Sequence, residues 1–181
     1  IINTKKSREL MADLAIEGQV NDLFFRKTPE DFQAIASFND TSTHYSQGIP
    51  GIDNVTGKLS YSQQYLKIDL KAEQGALDFN KHFVAPIPYE TLQASIALSI
   101  DDKNWMATVN DLNLHSDELT LQADLAIDSP DNAPMTMSLL ANIIEGDAAN
   151  AGHYYPLTTM SDNLVNYLNN ALIDGEIKQA Q

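Results

Sequence analysis

The chain has 181 residues, of which 43% are hydrophobic and 20% charged, as is typical of a folded domain rather than a disordered segment. Its 25 acidic and 11 basic residues give a net charge of −14, which disfavours binding to nucleic acid or to anionic lipid headgroups through basic patches. The absence of cysteine excludes a disulfide framework and thiolate chemistry.

The first third of the chain alternates apolar and polar residues in short runs. These runs lie at 12–16, 20–27, 32–38 and 55–61, and a loop containing glycine and proline separates the last two, at 44–53. Successive side chains of a strand point to opposite faces, so this period of two predicts four strands, the first of them beginning near Ala12.

The same alternation continues through the middle of the chain. It is most regular at 66–72, and a connection containing two prolines follows at 80–90. From 91 to 144 three further alternating runs predict an antiparallel meander with one apolar and one polar face. Between the first and second of them lies another strand, whose alternation shifts by one residue at Asn110–Asp111, which predicts a β-bulge.

One stretch near the end of the sequence has helical spacing. Ser161 is a suitable N-cap, and apolar residues follow on one face of a predicted helix over 161–173. Gly175 suits the left-handed conformation that often ends a helix. The apolar stripe of this helix favours packing on the sheet.

These elements predict a mostly β fold: an antiparallel meander of about nine strands with one C-terminal helix, forming a single module over residues 1–181. Nine strands span about 40 Å, whereas one helix covers about 10 Å. The uncovered apolar face predicts a sheet that curls into an open trough or half-barrel, although a self-filled sandwich or a closed barrel also satisfies the pattern.

Two features of the sequence concern its place in a longer protein. It begins with Ile1, and patterned sequence reaches both ends, so we expect an internal fragment of a larger protein. The uncharged run at 132–144 is too short for a transmembrane helix and alternates like a strand.

The residues offer no catalytic or metal-binding constellation. The four histidines (44, 82, 115 and 153) are scattered, and the acid pairs Asp101–Asp102 and Asp117–Glu118 fall in predicted turns. There is no phosphate-binding glycine loop and no nucleophile elbow. We therefore expect no cofactor, no metal and no enzymatic activity; an enzyme acting on polysaccharides would need two carboxylates in a cleft.

Three segments resemble the YhdP branch of the AsmA-like envelope proteins. Residues 153–157 read HYYPL and precede the predicted helix and Gly175, which is similar to that family's pattern of tyrosine–proline, helix and glycine. Residues 49–59, IPGIDNVTGKL, resemble its strand entry. Residues 83–92, with Pro86 and Pro88, resemble its proline-rich crossover. The likeness extends over residues 15–178.

The resemblance implies a non-enzymatic module of a periplasmic, bridge-like lipid transport protein of Gram-negative bacteria. Such a module would carry phospholipid acyl chains along an apolar β-groove between inner and outer membranes. It would adjoin neighbouring β-modules of the same chain, and an anchor elsewhere would hold the parent protein in the inner membrane.

Residues at the apolar parity of the predicted strands are the candidate acyl-chain contacts of the groove floor. They are Leu66, Ile68, Leu70, Leu92, Ile96, Leu98, Ile100, Leu119, Leu121, Leu125, Met137 and Leu139. The alternative is a structural β-sandwich, a spacer or adhesion module with a self-filled core.

Overall fold

The strands follow one another across a single antiparallel sheet in chain order. The computed structural model describes residues 12–101, 104–173 and 175–178. Within these ranges each strand pairs with the next, and no pairing joins the first strand to the opposite edge, so the sheet is open. The strands are β1 (Glu17–Lys27), β2 (Phe32–Thr43), β3 (Gly51–Ser62), β4 (Tyr65–Asp78), β5 (Ile87–Asp101), β6 (Asn104–His115), β7 (Leu119–Ser129), β8 (Thr136–Asp147) and the two-residue β9 (Glu176–Ile177).

This architecture confirms the predicted open, mostly β meander with one C-terminal helix. It does not support the sandwich alternative, which needs a core enclosed between two packed sheets. The described strands instead form one sheet, and no large side chain among the described residues is fully buried.

The two ends of the strands differ in their connections. At the hairpin end, β1 connects to β2, β3 to β4, β5 to β6 and β7 to β8. At the opposite, loop end lie residues 44–50, the 3-10 turn Asn80–His82 and residues 116–118. Residues 148–160, the crossing segment, leave β8 at this loop end and include the 3-10 helix Ala148–Tyr154.

Local irregularities bend the strands at several places. The predicted bulge at Asn110–Asp111 is confirmed, because the register of β6 against β7 shifts between Val109 and Leu112, and Asp111 has a φ of +53°. A second change of phase was not predicted. In β5 Tyr89 and Leu92 are both buried although they are three residues apart. The alternation of buried and exposed positions therefore shifts by one residue between them.

The beginning of the sheet differs from the prediction. The run at 12–16 is not a strand, because Ala12 and Asp13 are helical and β1 begins only at Glu17. Ala15 has a φ of +44°, and the buried Leu14 accepts a backbone hydrogen bond from His44 through its carbonyl oxygen, at 2.8 Å. That long-range contact places Leu14 against the loop after β2, which local alternation could not indicate.

The C-terminal helix, α1 (Asp162–Ala171), begins as predicted. The Ser161 Oγ accepts a hydrogen bond from the backbone N–H of Leu164 at 3.4 Å. Its predicted packing on the sheet is wrong, because its main contacts are with the 3-10 helix Ala148–Tyr154. Gly175, with a φ of +129°, lies beyond the helix and directly precedes β9. None of the helical segments in the described ranges has the length and hydrophobicity needed to cross a bilayer.

Candidate functional site

One face of the sheet, the apolar face, consists of side chains aligned in rows across the strands. Directly opposed residues in an antiparallel pair share a face, and the register sets Leu66 opposite Tyr61 on one side and Leu98 on the other. The two rows that cross most strands contain only uncharged side chains. They are Phe25, Ala34, Tyr61, Leu66, Leu98, Ala107, Ile127 and Met137, then Ala36, Leu59, Ile68, Ile96, Val109, Leu125 and Leu139.

The opposite face carries the charges. Asp69 lies opposite Lys58 and Ser95 in the register, and its carboxylate forms an ion pair with Lys67 at 2.8 Å. The Lys67 ammonium and the Ser95 hydroxyl both donate to Asp69 and hold the pKa of its carboxyl below the usual value. These groups are solvent-exposed, so they add little to stability; their role is to keep this face in water.

Burial on the apolar face changes along the strands. Toward the loop end, Val55, Ala72, Leu92 and Leu114 form a packed cluster with Tyr89, each with only 3% of its surface exposed. Toward the hairpin end and along β8, the exposed fractions rise to 44% at Ile100, 62% at Leu139 and 66% at Met137. Protein therefore covers the apolar face at the loop end and leaves the rest accessible.

Glu118 holds the crossing segment against the turn between β6 and β7. Its carboxylate accepts hydrogen bonds from the His153 ring at 3.1 Å and from the Tyr154 hydroxyl at 3.3 Å. Burial raises the pKa of Tyr154, so its hydroxyl remains a donor. In addition, the backbone carbonyl of Glu118 accepts from the N–H of Asp147 at 3.0 Å.

His82 holds the other end of the crossing segment beside the start of β5. Its carbonyl oxygen accepts from the N–H of Leu157 at 2.8 Å. Its ring bonds the Thr158 hydroxyl at 2.8 Å and the Tyr45 hydroxyl at 3.2 Å. The segment therefore crosses the loop end from β8 past β6–β7 to β4–β5.

Two buried tyrosines belong to this loop end. Tyr89 donates its hydroxyl to the carbonyl oxygen of Asp53, and burial raises its pKa to about 12. Tyr155 lies in the crossing segment between the Glu118 and His82 contacts, with 8% of its surface exposed, and its hydroxyl has no hydrogen-bond partner among the described residues. Both rings close the loop end with apolar surface.

The hairpin end has no such cover among the described residues. Neighbouring hairpins are joined to each other instead: the Asp31 carboxylate accepts from the Gln63 N–H at 3.2 Å, and the Asn104 side-chain oxygen accepts from the Asp131 N–H at 2.6 Å. Bonds of this kind order the turns, and they lie at the ends of the strands rather than over the apolar face.

The twelve candidate contacts share the apolar face but differ in accessibility. Leu92 belongs to the buried cluster, and Leu70, Leu119 and Leu121 pack against it. Three are exposed: Ile100, Met137 and Leu139. The half-buried ones between them are Leu66, Ile68, Ile96, Leu98 and Leu125. The three exposed and five half-buried candidates are therefore the ones accessible to a ligand, whereas the four in or against the buried cluster pack with other side chains.

The candidate set also left out residues that the register places on the same face. Val109 and Ile127 lie in the two main rows, and Trp105 lies opposite Ile100. The alternation of apolar and polar residues in β6 and β7 could have identified these residues from the sequence. The crossing segment, by contrast, had no local signal, because its contacts join residues that are far apart in sequence.

The described residues show no cluster of three or more His, Asp or Glu side chains that could hold a metal. The acid pair Asp117–Glu118 lies in the turn between β6 and β7, where Glu118 makes the contacts to the crossing segment. Of the pair Asp101–Asp102, Asp101 ends β5 and Asp102 lies outside the described residues.

An open antiparallel sheet with one apolar and partly uncovered face defines a single-layer β-sheet module. The chain belongs to the YhdP protein family, whose model matches residues 2–181. It is 24% identical over 145 residues to the intermembrane phospholipid transporter YhdP of Escherichia coli strain K12. That alignment covers 80% of this chain but only 12% of the transporter, so the chain spans a small part of its relative's length.

Proposed function

We propose that this chain is a non-enzymatic module of a periplasmic lipid transport protein and that phospholipid acyl chains bind on its apolar face. The observation that carries the proposal is the apolar, partly uncovered face of an open sheet. Membership of the YhdP family and similarity to an intermembrane phospholipid transporter support phospholipid as the cargo.

The physical basis is the burial of hydrocarbon against aliphatic side chains. Each methylene removed from water contributes about 0.8 kcal/mol, and the accessible rows offer many equivalent leucine and isoleucine contacts. Binding to such a surface is non-directional, so an acyl chain can shift from one strand to the next without breaking a specific hydrogen bond. This property suits transport better than tight storage.

The wider setting belongs to the same proposal. Neighbouring β-modules of the parent chain would continue the apolar face, and an anchor elsewhere in the parent would hold it in the inner membrane. Both edges of the sheet support this arrangement, because β1 exposes Val20 and Phe25, and among the described residues β8 pairs with β9 only at Gly146 and Asp147.

Two adjacent leucines of β8 provide a matched test. Leu139 lies opposite Leu125 on the apolar face and is 62% exposed, whereas Leu140 lies opposite Asp124 on the other face and is 57% exposed. Leu139→Gln removes about 1 kcal/mol of apolar contact from bound lipid, which weakens binding about fivefold. Leu140→Gln leaves binding unchanged.

Binding is measured by titrating each protein into phospholipid that carries a fluorescent acyl chain, and native mass spectrometry of the purified chain counts retained lipid. Equal affinities of the two variants would place the lipid away from the apolar face. Absence of any bound phospholipid in both measurements would contradict the proposed function of the chain itself.

A further inference from the structure

The apolar face is chemically asymmetric along the strand direction. At its loop end the side chains of the packed cluster are each only 3% exposed, and the crossing segment there contains the buried Tyr155. At its hairpin end Ile100 and Met137 are exposed. An amphipathic molecule that binds between these two ends therefore meets protein on one side and water on the other.

Side chains with an apolar ring and a polar tip lie close to the hairpin end. Tyr61 packs near Phe32, with ring centroids 6.1 Å apart, and Trp105 lies opposite Ile100. Tyrosine and tryptophan favour positions where one end is in hydrocarbon and the other is in water. Their position marks a boundary between apolar and aqueous surroundings at this end.

Charged groups complete the boundary. Lys27 lies opposite Phe32 in the register, which places a cation at the hairpin end of the otherwise uncharged apolar face, and it is exposed. Carboxylates lie at the same strand ends, at Asp31 and Asp101. A cation and carboxylates beside apolar rows complement a molecule with a charged headgroup and neutral hydrocarbon tails.

The length of the open region fits a single acyl chain. From Ile100 to Ala94, where β5 becomes buried, six residues at about 3.4 Å each span about 20 Å. One leaflet of a bilayer has a hydrocarbon thickness of about 15 Å, half of the full core. An acyl chain aligned with the strands therefore fits within the open region between the hairpin end and the packed cluster.

We propose that phospholipid binds in one orientation, with its headgroup outside the hairpin end and its acyl tails directed along the strands toward the crossing segment. Tyr61 and Trp105 then contact the glycerol-ester region, and Lys27 contacts the phosphate of lipid bound near β1. The inference rests on the proposed function and adds the polarity of the lipid and the residues that set it.

Trp105 is the only tryptophan of the chain and therefore reports lipid depth directly. The unmodified chain is mixed with phosphatidylcholine brominated near the carbonyl, at mid-chain or near the terminal methyl, and Trp105 fluorescence is recorded at saturation. Because bromine quenches only at short range, the proposal expects strongest quenching near the carbonyl and progressively weaker quenching toward the methyl end.

A matched control moves the tryptophan to the other face of the same strand. In the double variant Trp105→Phe with Met106→Trp, the probe lies opposite Ser99 on the charged face, where Met106 is already exposed. The proposal expects little quenching by any of the three lipids. A second double variant, Trp105→Phe with Tyr155→Trp, places the probe at the loop end and is expected to reverse the order of quenching.

The outcomes separate the orientation from the function. If lipid binds but the methyl-end bromine quenches Trp105 most, the orientation is reversed and this inference is wrong, while the proposed function stands. If all three bromine positions quench equally, the tails run across the strands and the inference is also wrong. If equilibrium binding detects no lipid at all, the proposed function fails first.

Discussion

At the residue scale, Tyr89 shows how one polar atom is accommodated in the buried cluster. Its ring packs with Val55, Ala72, Leu92 and Leu114, while its hydroxyl reaches across β4 to the carbonyl oxygen of Asp53 in β3. Gly75 makes room for this hydroxyl, since a Cβ there would lie 2.6 Å from it. A buried donor and acceptor are thereby satisfied together.

Replacement of this tyrosine tests the hydrogen bond. Tyr89→Phe keeps the ring but leaves the Asp53 carbonyl without its partner, so we expect a loss of about 1 kcal/mol in the free energy of unfolding. Urea denaturation at neutral pH measures it. Tyr65→Phe, which changes an exposed tyrosine on the charged face, serves as the control and should have no measurable effect.

The raised pKa of Tyr89 adds a prediction about pH. Burial favours the neutral phenol in the folded state, with a pKa of about 12 against 10.0 for an unperturbed tyrosine. The stability from this group is therefore fully present below pH 10 and is lost as pH rises toward 12. Tyr89→Phe should show a smaller alkaline loss of stability over this window; an identical loss would assign the pH dependence to other groups.

At the element scale, the crossing segment is a separate structural unit attached to the loop end by a few polar contacts. Glu118 and His82 hold it at two points, and α1 packs on it rather than on the sheet. Leu164 and Tyr167 of α1 are exposed, which is consistent with that position. We therefore expect the hydrogen bonds of the sheet not to depend on these contacts.

Removal of the His82 ring tests this independence. His82→Ala deletes the bonds to Tyr45 and Thr158, so local opening of the crossing segment becomes easier while the ladders from β4 to β7 remain. Amide hydrogen exchange should become several-fold faster at Leu157 and Thr159, with unchanged protection in β5. A uniform increase of exchange over the whole sheet would show that the segment is part of the cooperative core.

At the scale of the whole molecule, the open sheet predicts that native protein binds apolar probes. A sandwich with a filled core would leave an apolar dye such as ANS unbound, whereas this sheet leaves several large apolar side chains of one face in solvent, among them Ile100, Met137 and Leu139. We expect ANS fluorescence from the native state, and we expect phospholipid to suppress it by competition.

The same experiment has a thermodynamic counterpart. A ligand that binds only the folded state at 100 times its dissociation constant adds about 2.7 kcal/mol of stability, so saturating phospholipid should raise Tm. An ANS signal that phospholipid does not reduce, or a Tm that does not respond, would indicate that the exposed apolar surface serves protein contacts alone.

The sequence by itself determined which side chains share a face. Alternation with a period of two is a property of neighbouring residues along one strand, so the parity of Leu66–Leu70, Leu92–Ile100 and Leu119–Ile127 could be read directly. The bulge at Asn110–Asp111 and the Ser161 cap were also local, and both were predicted. Conversely, the start of β1 and the phase slip between Tyr89 and Leu92 were not predicted, because they result from loop contacts and packing rather than from local alternation.

Only the tertiary structure decided which part of the apolar face is covered. Cover at the loop end depends on contacts such as that between His82 and Thr158, which are 76 residues apart in the chain. No local periodicity encodes a contact at that separation. The apolar rows were therefore predictable from the sequence, whereas the closed loop end, the open hairpin end and the position of α1 required the folded chain.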